Sequence, residues 1–180
     1  MSAQEPQADN SIHWHGAPEQ TGAQPDALVR GWLEETGLLT ARLRQKCASG
    51  FRLEVLAANA NHADDSGIHR MVMLHCGETP CIYAETTIPA ITAASNIWLN
   101  ELGDEPLGER LQSQPNVQRS EFRFALLTRA DLAADIEVSA DNPLWARQSD
   151  FQLGETSLTV TEVFLPGISD PTDSATQAAD

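Results

Sequence analysis

The stretch TSLTVTEVFLP, residues 156–166, places one acid inside an apolar strand, and this narrows the possible folds more than any other feature of the chain. With the two-residue repeat of a β-strand, Leu158, Val160, Glu162 and Phe164 share one face, while Thr159, Thr161, Val163 and Leu165 share the other. Glu162 therefore stands among buried-type residues. A carboxylate there loses hydration, so it needs a cation, a hydrogen-bond donor or a proton of its own. Such a residue is a site candidate; the alternative is a structural acid satisfied by a neighbouring arginine or backbone amide.

The same parity repeats elsewhere. FRLEVLAAN, residues 51–59, alternates as a half-buried strand, and HRMVMLHCGETPCIYAETTIP reads as a hairpin turning at 77–80. On its first arm Arg70 shares a face with Val72 and Leu74, so a guanidinium faces inward as Glu162 does, and the two are expected to answer each other. From Val117 to Thr128, Phe122, Phe124 and Leu126 oppose Arg119, Glu121 and Arg123, which places those charged residues outward. Trp145, Arg147, Ser149, Phe151 and Leu153 share a face of the following strand, making Arg147 a second inward arginine.

Helical spacing appears after Pro25-Asp26, with Leu28, Trp32 and Leu33 on one face, in LLTARLRQKC, and in AITAASNIWLNEL, with Ile91, Ala94, Ile97, Trp98 and Leu102 together. Helices, a hairpin, helices and further strands predict an α+β domain over 25–166: a mostly antiparallel sheet with helices on one face. Residues 1–24 are polar and rich in Gln, Gly and Pro, which predicts a flexible leader. Residues 167–180 read as a disordered acidic tail.

Eleven Lys and Arg against 26 Asp and Glu give a net charge of -15. Such a field repels nucleic acid and anionic membranes, so an anionic ligand must be captured by local arginines. Cys47, Cys76 and Cys81 have no CxxC spacing, and reduced thiols packed as small apolar residues are expected, with neither disulfide nor metal. His13 and His15 form a His-x-His with no further ligand nearby in sequence, so no metal site is expected there. No segment is long and apolar enough to span a membrane, and a soluble cytoplasmic protein is expected.

WLEETGLLTARLR, Arg70 and the later Pro89, ELGDEPLGERL, LWARQS and VTEVFLP follow one another over residues 28–166 in an order that resembles the bacterial chorismate pyruvate-lyases. The resemblance implies a single six-stranded antiparallel sheet with helices on one face and a closed pocket between them. It implies a monomeric lyase that converts chorismate to 4-hydroxybenzoate and pyruvate, the first committed step of ubiquinone biosynthesis, without cofactor or metal. Carried over residue by residue, it makes Arg70 and Glu162 the catalytic and substrate-binding pair, with Leu39 and Leu107 shaping the pocket and offering backbone groups to the ligand carboxylate. Arg147 joins them as a substrate-binding candidate because of its parity. The chain departs from the family pattern at Ala84-Glu85-Thr86, where Gly-Arg-Thr is common, and at Gln148, where a further arginine is common, and so carries two cations fewer. A small-ligand effector domain of the same fold, as found in one repressor family, is the alternative.

Overall fold

A computed structural model describes residues 12–47, 49–61, 67–133, 136 and 142–169, without the side chains of 59–61. Among the described residues seven strands form one sheet: β1 (Phe51–Asn61), β2 (Gly67–Cys76), β3 (Thr79–Ile88), β4 (Val117–Arg119), β5 (Arg123–Leu127), β6 (Leu144–Leu153) and β7 (Thr156–Phe164). Every pairing is antiparallel, in the order β1-β2-β3-β7-β6, with β4 and β5 both on the free edge of β6. The expected six-stranded sheet is thus seven strands in six lanes.

The split between β4 and β5 has a local cause. Arg119 pairs with Phe151 and Arg123 with Gln148, so three residues on this edge oppose two on β6. That extra residue is a bulge, and a bulge reverses strand parity. Ser120 holds it in place: its amide donates to the Asp150 carbonyl, and its hydroxyl accepts from the Asp150 amide at 2.9 Å.

Four α-helices pack on one face: α1 (Ala27–Leu33), α2 (Leu39–Cys47), α3 (Ala90–Ser95) and α4 (Leu107–Gln112). Asp26 caps α1 by accepting from the Val29 amide at 2.8 Å, which satisfies one of the helix's unpaired N-terminal donors. Trp32, Leu33, Leu39 and Leu43 then bury against Val72, Leu74, Ile82 and Phe164, while Leu99, Leu102, Leu107 and Leu111 bury against Ile88, Leu158 and Val160. Leu28 and Ile91, assigned to buried helix faces from spacing, are exposed. So is Ile97: α3 ends at Asn96, and the chain continues as a short 3-10 turn that presents Leu99 and Leu102 inward instead.

The opposite face is also covered, and the expected bounds of the leader and the tail both change. Trp14 packs on a second core of Met71, Met73, Tyr83, Leu132, Ile136 and Val163, and His15 pairs through its backbone with Phe124. Residues 12–24, assigned to the leader from composition, therefore include a segment docked on the sheet, because one half-buried tryptophan supplies contact area that a count of apolar residues overlooks. Of the tail assigned to 167–180, the first residues are ordered, since a turn at Pro166–Ile168 buries Ile168. The rest of the tail, from residue 170, lies outside the described residues.

Cys47 and Cys76 form a disulfide, contrary to the expected free thiols, with their Cα atoms 5.2 Å apart. The Gly50 amide donates to the Cys47 carbonyl and the Gly77 amide to the Gly50 carbonyl, which brings the end of α2 beside the β2–β3 turn. That proximity is tertiary, so sequence spacing does not reveal it. Cys81 is buried and takes no part in the disulfide.

Candidate active site

On the helix-facing side the strands leave a gap between the two apolar cores. A cavity of about 90 Å³ opens there, walled by β1, β2, β3, β7, β6 and β4 and roofed by α2 and α4. Glu109 ties the roof together by accepting from Thr40 Oγ1 at 3.3 Å and pairing with Arg44. Gly108 lets α4 approach the loop that leads into α2, for a Cβ there would meet Leu38 Cδ2 at 2.9 Å.

Register decides which side chains reach the cavity. On β2, Arg70 lies beside Thr86 of β3, which lies beside Val160 of β7; all three point to the helix face. Arg70 is 4% exposed, and burial lowers its pKa while Asp104 opposes that shift. Its Nη2 donates to the carbonyls of Gly103 and Glu105 at 3.1 and 3.0 Å, where the chain bends through Gly103 at a φ of 49°. Its buried Nε has no partner among the described residues. Buried guanidinium donors are rarely left unpaired, and because Arg70 lines the cavity its remaining donor is available to an anion there.

Glu162 stands on the same wall, two lanes from Arg70 through Ala84 of β3. The expected pairing of Arg70 with Glu162 is absent. Glu162 Oε2 instead accepts from Arg147 Nε at 2.6 Å and from Arg119 Nη2 at 3.3 Å. Leu39 and Leu107 line the cavity as the first residues of α2 and α4. Amides in a first helical turn have no intrahelical acceptor, so a helix start is a source of backbone donors.

Arg147 is fully buried but is not on the cavity wall. Its Nη1 donates to the carbonyls of Trp32, Leu33 and Glu35 at the end of α1, and its plane stacks 4.1 Å from the Phe122 ring. It therefore caps α1 from below and holds Glu162 from behind. Arg119 is the lining residue that parity reasoning placed outward. The bulge after β4 turns it inward, its Nε donates to Ser149 Oγ at 2.9 Å, and its guanidinium lies between Phe122 and Phe151. A strand reading that allowed for a break at Ser120-Glu121 would have found it.

Glu85 and Gln148, the two departures from the family pattern, lie on the other face. Glu85 bonds His69 at 2.5 Å and Tyr83 at 3.2 Å, and Gln148 donates to Thr161 Oγ1 at 2.9 Å. Neither borders the cavity, so the missing cations remove nothing from it.

A sequence model of the family described as "Chorismate lyase" matches residues 9–172. This chain belongs to that family. It is similar to proteins named probable chorismate pyruvate-lyase from several bacteria. The one from Nitrosospira multiformis is 34% identical over 174 residues, covering 86% of this chain and 93% of the relative. The one from Ralstonia nicotianae is 36% identical over 173 residues, covering 82% and 88%. The one from Dechloromonas aromatica is 35% identical over 163 residues, covering 82% and 92%. The cavity with Arg70, Glu162, Leu39 and Leu107 on its wall lies wholly within the matched span.

Proposed function

We propose that this chain cleaves chorismate to 4-hydroxybenzoate and pyruvate, feeding ubiquinone synthesis as a soluble cytoplasmic monomer that needs no cofactor. The observation that carries this reading is Arg70: a buried cation with an unspent donor, in a cavity whose other charged groups include one carboxylate. Arg70 and backbone amides at the starts of α2 and α4 hold the ring carboxylate, the guanidinium supplying charge and a planar fork. Glu162 sits at the opposite end of the ring, beside C4 and its hydroxyl.

The chemistry needs little more. The C3–O ether bond breaks with its electron pair leaving on oxygen, C4 gives up its hydrogen as a proton, and the electrons of that C–H bond form the last ring double bond. The ring becomes aromatic, and the enolpyruvate released gains a proton at its methylene carbon to become pyruvate. One proton leaves the ring and one enters the leaving group, so the reaction balances without an external reagent. Glu162 is the carboxylate placed to carry that proton, taking it from C4 and giving it up as a general acid. Arg147 holds Glu162 Oε2 from behind, which fixes the carboxylate while it does so.

Mixing the purified protein with chorismate and following both products tests the reading. Equal amounts of pyruvate and 4-hydroxybenzoate are expected. Binding of 4-hydroxybenzoate without turnover of chorismate would instead favour an effector-binding domain.

A further inference from the structure

Chorismate has two carboxylates, and Arg70 accounts for one. Of the charged residues on the cavity wall, Arg70, Arg119 and Glu162, only Glu162 is negative, and Arg147 already neutralises it from outside the wall. Arg119 is therefore a surplus cation. Its contact with Glu162, at 3.3 Å, is long beside the 2.6 Å bond from Arg147, so Glu162 stays held when Arg119 turns to another anion. The Phe122 and Phe151 ring centroids lie 4.3 and 5.0 Å from the guanidinium carbon, and Nε donates to Ser149 Oγ at 2.9 Å, so the group is held in place by contacts other than the long one to Glu162. Burial lowers its pKa to about 10, which leaves the charge in place at neutral pH.

Position supplies the rest. With the ring carboxylate on Arg70 and C4 at Glu162, the substituent on C3 projects to one side of Glu162. Arg119 stands beside Glu162 on the β4–β6 edge, where the cavity meets a neighbouring recess lined by Thr36, Gln112 and Gln114. We propose that Arg119 forms a second anion subsite, which holds the carboxylate of the substrate's C3 side chain and so selects a dianion over a simple hydroxybenzoate. The proposal rests on the chorismate reading above. It also explains how a chain of net charge -15 holds a doubly charged ligand: each carboxylate meets its own guanidinium.

Two probes isolate the subsite: 3-(carboxymethoxy)-4-hydroxybenzoate, which carries the second carboxylate, and 3-methoxy-4-hydroxybenzoate, which lacks it. Calorimetric titration of the wild type should show the first binding ~10-fold or more tightly than the second, the scale of a charge-assisted hydrogen bond. In Arg119→Gln that ratio should fall to about one while 4-hydroxybenzoate affinity shifts less than ~3-fold, and Arg119→Lys should keep part of it. In turnover, Arg119→Gln should raise KM for chorismate by ~10-fold or more, with a smaller change in kcat. A wild-type ratio near one, which requires no variant to fold, overturns the subsite, as does a ratio that survives in Arg119→Gln. Those results leave 4-hydroxybenzoate binding and turnover intact, whereas a wild type that binds none of the three benzoates and leaves chorismate unchanged overturns the chorismate reading and the subsite with it.

Discussion

Arg70 on β2 and Arg147 on β6 are both buried guanidiniums on the helix-facing side of one sheet, yet they serve different ends. Around Arg147 the protein supplies an acid of its own: three carbonyls of the α1 terminus, the Glu162 carboxylate and a Phe122 ring surround one side chain away from the cavity wall, although its Nη2 also has no partner among the described residues. Around Arg70 it stops short: two carbonyls orient one amino group, and Nε is left buried without a partner beside the cavity. Inward parity identifies a charge that needs partners. Which partners the fold supplies distinguishes a structural pin from a binding group.

Arg147→Ala tests that distinction most severely. It leaves Glu162 without its closest partner and the α1 carbonyls uncapped, and breaking a buried pair costs about 3–5 kcal/mol. Denaturant unfolding should show a loss of that size, and a change below about 1 kcal/mol would mean that the β6–β7 wall is not built on this residue. Glu162→Gln is milder for the fold, since its amide oxygen still accepts from Arg147, but it removes the proton carrier. Turnover should fall ~10²-fold or more with chorismate binding largely kept, and unchanged turnover would remove Glu162 from the chemistry. Deleting residues 1–24 reaches neither wall directly. The loss of Trp14 from the opposite face should cost about 2 kcal/mol of stability, read as a lowered melting temperature, while KM stays near the full-length value.

Much of this was legible from the sequence because alternation is local. The strands from Phe51 to Ile88 and from Leu144 to Phe164 follow from side-chain period alone, and so does the inward direction of Arg70, Arg147 and Glu162. Alternation fails where a single extra residue intervenes, as between Arg119 and Arg123, and so Arg119 was placed on the wrong face. It also says nothing about what covers an inward residue. The carbonyls that engage Arg147 lie in α1, far away in sequence, and the Cys47–Cys76 bond depends on a helix end meeting a hairpin turn. Trp14 was hidden for a third reason, since one large ring anchors a segment that is otherwise polar.

The central claim, that Arg70 is the cavity-lining cation with no bonded acid among the described residues and Arg147 the one paired with Glu162, is tested most directly by titrating 4-hydroxybenzoate calorimetrically into the wild type and Arg70→Ala, with thermal melting of both. Losing the guanidinium should weaken binding ~10²-fold or more, since each 1.4 kcal/mol is tenfold, and the melting temperature should hold or rise because a desolvated charge has been removed. Equal affinities in the two proteins, or a collapse of melting with affinity retained, would contradict the account and make Arg70 the structural pin.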